Sequence, residues 1–68
     1  MERNEAFELA TRLDGGGFEQ MLDSRGGTWR ISVRLQGLDG EQVAALTALL
    51  ADANVSGRID DRSYLDVV

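Results

Sequence analysis

The side chains that could do chemistry in this chain are few in kind: twelve carboxylates and seven arginines, with no histidine, cysteine, lysine or proline. General bases near neutral pH, thiolate nucleophiles, Schiff-base amines and zinc ligands come mostly from the missing types, so most catalytic and metal-binding classes are excluded at the outset. Paired carboxylates remain able to do acid–base work, but such sites need a cleft that 68 residues can hardly build together with a core. Asp60, Asp61 and Asp66 invite a calcium reading. They lack the alternating ligands, glycine and distant glutamate of a calcium loop, and a solvated turn accounts for them better. Gly15-Gly16-Gly17 is too weak for a phosphate cradle, which needs a preceding strand, a following helix and usually a lysine; it reads as a turn, as does Gly26-Gly27. We therefore expect no enzyme activity, no cofactor and no metal.

Arg30 and Arg34 offer the one patterned array of polar chemistry. They fall on the same face of an alternating segment, and Arg58 is placed to join them from a later hairpin. Such a row can fork carboxylates on a partner protein. Its commoner use is pairing with acidic residues on neighbouring strands, which is the favoured reading.

The elements that must carry these residues follow from periodicity. Between Thr28 and Gln36, Trp29, Ile31, Val33 and Leu35 alternate with Arg30, Ser32 and Arg34, the signature of a half-buried strand. Gly37 ends it. From Gly40 to Ala53 the spacing predicts a helix, with Asp39 as N-cap, Gln42 completing a capping box, Leu38 and Val43 as a staple, and Asn54 as the left-handed stop. Val55–Asp60 and Ser63–Val68 read as a hairpin. Residues 5–13 fit two templates: Phe7, Leu9, Thr11 and Leu13 alternate as in a strand, whereas Ala6, Leu9, Ala10 and Leu13 make a helical stripe in a helix-favouring composition. Neither template wins. Phe18–Leu22 is a short apolar segment that would pair with the tryptophan strand, and Asp23–Gly27 is read as a long polar turn between them.

The result is a single domain over residues 1–68, of α+β class: a small antiparallel sheet packed on one face by one main helix, with Trp29, Ile31, Val33 and Leu35 facing Val43, Leu46 and Leu50. A core this small leaves stability at a few kcal/mol, and a partner or second copy would add to it. The apolar end of the last strand, Val67-Val68, suggests an exposed edge and hence a homodimer through the C-terminal strand. Net charge is −5, which disfavours direct contact with nucleic acid. The charged N-terminus reads as no signal peptide, no apolar run is long enough for a membrane, and the lack of cysteine argues mildly for a cytoplasmic protein.

The order of signals also resembles one family. A strand-like segment leads into Gly16-Gly17-Phe18; Trp29-Arg30-Ile31-Ser32-Val33 follows; then come Leu38, the Gln42–Leu50 helix, and Asp61-Arg62-Ser63-Tyr64-Leu65-Asp66-Val67. This is similar to the emfourin-type proteins, small bacterial inhibitors of thermolysin-like (protealysin-type) metallopeptidases. The resemblance runs from about Phe7 to Val67 through short motifs. It implies a strand for residues 5–13, an α+β fold, and a protein that occludes a peptidase cleft with contacts near Gly16, Gly17 and Phe18. Together with Arg30 and Arg34, these are the candidate partner-binding residues. The leading expectation is a non-enzymatic protein-binding module, most concretely such an inhibitor. Its rivals are an acidic regulatory or nucleic-acid-mimicking antagonist of a host protein, for example phage-encoded, and a structural homodimer subunit.

Overall fold

In the computed structural model, which describes all residues 1–68, two helices cover one face of a four-stranded antiparallel sheet. The elements run α1 (Arg3–Gly15), β1 (Gln20–Arg25), β2 (Thr28–Arg34), α2 (Gly40–Asp52), β3 (Gly57–Ile59) and β4 (Tyr64–Val67), and the strands lie in the order β1-β2-β4-β3. The α+β class is as the sequence pattern implies.

Residues 5–13 are helical, and the strand that the family resemblance implies is absent. Ala6, Leu9, Ala10 and Leu13 all lie within the buried core. That i, i+3, i+4, i+7 stripe buries four apolar side chains on one side, while the strand alternative would have split Ala6 and Ala10 from Leu9 and Leu13. The helix stops in a Schellman motif. Phe18 N–H donates to Leu13 O at 3.0 Å, Gly17 N–H donates to Asp14 O at 3.0 Å, and Gly17 takes φ +83°. Gly16-Gly17-Phe18 is thus a helix terminator whose phenylalanine tucks into the core beside Leu13.

The second helix ends the same way. Val55 N–H donates to Leu50 O, Asn54 N–H donates to Ala51 O, and Asn54 takes φ 57°, the left-handed stop anticipated for it. Its start carries the full capping box: Gln42 N–H donates to Asp39 Oδ1 at 2.9 Å, and Asp39 N–H donates to Gln42 Oε1 at 3.0 Å.

The turn expected over Asp23–Gly27 shrinks to its last two residues. Gly26 (φ 60°) and Gly27 (φ 83°) form a tight hairpin of the type that requires two successive left-handed residues, so β1 continues to Arg25, opposite Thr28. The strand accordingly begins at Gln20 rather than Phe18. A second correction concerns the sheet edge. β4 is paired to β2 on one side and β3 on the other, so the C-terminal strand is internal and offers no edge for a homodimer. The edges are β1 and the short β3.

The core joins Ile31, Val33, Leu65 and Val67 from the sheet to Leu9 and Leu13 of α1, Leu46 and Leu50 of α2, and Phe18. It is α1 that lies over β1 and β2, with α2 packed along α1. For that reason Val43, expected against the sheet, remains 46% exposed, and Trp29 and Leu35 are only half-buried. Trp29 stands edge-on to Phe7 of α1, with ring centroids 5.2 Å apart, an arrangement that favours the rings' quadrupoles. No helix is long and apolar enough to cross a membrane.

Candidate functional site: the uncovered face of the sheet

Alternation along each strand places one set of side chains under the helices and the other on a face that nothing in the chain covers. On β2 the uncovered set is Thr28, Arg30, Ser32 and Arg34, the complement of buried Ile31 and Val33. Register adds the rest. Met21 and Asp66 flank Ser32, Asp23 lies beside Arg30, Tyr64 lies beside Arg34, and Arg58 stands opposite Asp66. Arg30, Arg34 and Arg58 do share this face.

Ser32 occupies its centre. Its hydroxyl donates to Asp66 Oδ1 at 2.8 Å, tying β2 to β4 across the open side. Both flanking arginines reach across to β1: Arg30 Nη2 donates to Asp23 Oδ2 at 3.0 Å and Arg34 Nη1 donates to Glu19 Oε2 at 3.2 Å. The favoured cross-strand pairing therefore holds. Each pair is solvent-exposed on both sides; it orients the guanidinium and contributes little to stability. Two shallow depressions, open to solvent, meet along Met21, Ser32 and Tyr64. One is bounded by Arg34, Glu19 and Gly17, the other by Arg30, Arg62, Asp60 and Asp66.

Asp60 is engaged as turn chemistry. Its Oδ1 accepts from the backbone N–H of Arg62 and of Tyr64, closing the loop in which Ser63 takes φ 63°. No group of acidic side chains converges in a way that could hold a metal ion.

Of the residues expected to touch a partner, Arg30, Arg34, Gly17 and Phe18 line the depressions of this face. Gly16 sits at the α1 C-cap, where an added Cβ would come within 2.9 Å of the Phe18 ring. Phe18 is only 5% exposed. Its ring belongs to the core, and only its rim lines the depression beside Gly17 and Glu19: a large apolar side chain immediately after a left-handed glycine is the hydrophobic half of the helix stop. Ser32, Tyr64, Met21 and Asp66 were missed as site residues. The signal for Ser32 was present in the Arg30-Ser32-Arg34 alternation, but Tyr64 and Met21 join it only through strand order.

Charge divides between the layers. The helices and their flanks carry Glu2, Glu5, Glu8, Asp14, Asp39, Glu41 and Asp52 against Arg3 and Arg12. The strands and their turns carry Glu19, Asp23, Asp60, Asp61 and Asp66 against Arg25, Arg30, Arg34, Arg58 and Arg62. The entire net charge of −5 thus resides on the helical layer, and the sheet is balanced. Comparison with known protein families, curated proteins and solved structures returned no match.

Proposed function

We propose that this chain is a non-enzymatic protein-binding module and that the uncovered sheet face centred on Ser32 and Tyr64 is its contact surface. One observation carries this reading: a charge-balanced face of arginines, a tyrosine and an exposed methionine, left bare by a fold that places both helices on the other side. Arginine, tyrosine and methionine are the residue types that protein interfaces enrich, and arginine and tyrosine recur among the side chains that carry most binding energy. The cross-strand ion pairs hold Arg30 and Arg34 extended over the sheet, which lowers the entropy lost when a partner carboxylate is forked.

The most concrete form of this function is inhibition of a thermolysin-like metallopeptidase, supported by the ordered motif resemblance. Titration of the chain into such an enzyme with a fluorogenic substrate tests it. Inhibition saturating near one-to-one, and weakened at least tenfold by Tyr64→Ala or Arg34→Glu in chains that keep their circular dichroism spectrum, is the expected result. Absence of inhibition at large excess across several such enzymes removes the inhibitor reading. Inhibition indifferent to both substitutions removes the sheet face as the contact surface.

The charge division supports a second reading. An acidic helical layer, with Glu2 at the N-cap of α1 and Glu5 and Glu8 in its first two turns, suits a basic partner and hence an antagonist that competes with nucleic acid. The two readings use opposite faces. Reversing Glu5 and Glu8 to lysine abolishes binding in the second and leaves it intact in the first.

A further inference from the structure

We propose that the free edge of β1 pairs with β1 of a second copy of this chain, antiparallel about a two-fold axis normal to the sheet, with Leu22 opposite Leu22 of the second copy. The pairing uses the backbone edge of β1; its side-chain contacts at Glu19, Met21, Asp23 and Arg25 border the uncovered face, whose centre at Ser32 and Tyr64 stays open on both copies.

The backbone sets the first condition. Arg34 N–H donates to Glu19 O, so in the β1–β2 ladder the odd-numbered residues of β1 turn their backbone groups toward β2 and the even-numbered ones turn outward. The outward groups belong to Gln20, Leu22 and Ser24, and no other part of the chain engages them. An unpaired edge of this kind is a template for another strand. β3, the other edge, is only three residues long against six for β1, and β1 has neither proline nor a bulge to blunt it.

Side chains then select the occupant and the register. In antiparallel pairing, directly opposite residues share a face, so an even residue must meet an even one. With Leu22 on Leu22, Gln20 meets Ser24, Met21 meets Asp23, and Glu19 meets Arg25, twice by symmetry. Arg25 forms no ion pair within its own chain. Sliding by two residues one way sets Asp23 on Asp23; sliding the other way sets Glu19 on Asp23. Of these three registers only Leu22-on-Leu22 is free of like charges; larger slides shorten the ladder and lose the double Glu19–Arg25 pairing, and this charge complementarity within β1 identifies the occupant as the same sequence.

The helix side of the edge fits as well. Leu22 is 38% and Phe7 40% exposed, and together with Ala10, Thr11 and Gln20 they line a groove between α1 and β1, with Asp14 at one end. Because α1 lies over both β1 and β2, adding a strand about 4.8 Å beyond β1 brings the two α1 helices to roughly the 8–10 Å spacing of packed helices. The groove is thereby closed over the paired leucines.

Sedimentation equilibrium of the full chain tests this. The expected species at high concentration has twice the 7.4 kDa chain mass. Leu22→Pro removes an outward N–H without touching the β1–β2 ladder, so it yields a monomer with unchanged circular dichroism. Glu19→Arg and Arg25→Glu each weaken association about tenfold, and the double reversal restores it to within a few-fold. Hydrogen exchange gives a separate reading: the Gln20, Leu22 and Ser24 amides gain protection with concentration, whereas those of Met21 and Asp23 are protected throughout. A monomer at every concentration overturns the proposal. So does a dimer that withstands Leu22→Pro and both single reversals.

Discussion

The helical layer and the uncovered sheet face are built from similar numbers of charged residues, yet they use them differently. On the helices, acidic residues outnumber arginines and project singly into solvent, with Arg12–Asp52 at 2.6 Å as the one ion pair. On the sheet, charges alternate in sign across neighbouring strands and are held in place by each other and by Ser32. The sheet array has fixed geometry, on which the proposed contact surface rests, whereas the helical acids supply a long-range field, on which the second reading rests.

The largest break in this comparison comes from the core that both faces share. Leu13 is fully buried and touches the α1 stop as well as the sheet, so Leu13→Ala should cost about 3 kcal/mol. In a domain this small that unfolds a large fraction of the molecule, and a thermal melt should show a broadened transition and loss of both surfaces together. A smaller effect separates the two helix stops. Gly17→Ala forces a side chain to φ +83° and should cost about 1–2 kcal/mol. Asn54→Gly, at φ 57°, should be neutral or stabilising by a few tenths, because glycine is the preferred residue there. Urea titrations of the two variants show whether the Gly-Gly-Phe segment depends on its cap geometry more than the Asn54 stop does. Asp39→Ala removes the capping-box acceptor of α2 and should cost about 1 kcal/mol, leaving α1 amide protection unchanged. The smallest stability effect belongs to the proposed contact face. Arg34→Ala should shift stability by about 0.5 kcal/mol or less, since its pair with Glu19 is exposed. Its effect on partner binding should be far larger, and that inequality distinguishes a contact surface from a merely solvated one.

Much of the fold was legible along the chain. The capping box at Asp39–Gln42, the left-handed stop at Asn54 and the alternation of β2 are local devices whose signals lie within a few residues. The N-terminal segment was ambiguous because a helical stripe and a strand alternation share Leu9 and Leu13; the choice depended on which would bury Ala6 and Ala10, and that is decided by the sheet beneath them. Half of the candidate site was legible for the same reason that half was not. Arg30 and Arg34 share one strand, whereas Tyr64 and Met21 reach them from strands on either side.

By itself, the amino-acid sequence determined the repertoire and the local geometry: carboxylates and arginines as the only charged chemistry, a capped leucine helix, an amphipathic tryptophan strand, and glycines where the backbone must turn left-handed. Those features depend on side-chain type and on contacts within one helical turn or one hairpin. Only the tertiary structure decided that β4 lies between β2 and β3, that the free edge is therefore β1, that Phe18 is core, and that the bare face of the sheet collects the arginines while the helices keep the net charge. Strand order and layer assignment are set by which arrangement buries the most apolar surface at once, a property of the whole chain that no local window contains.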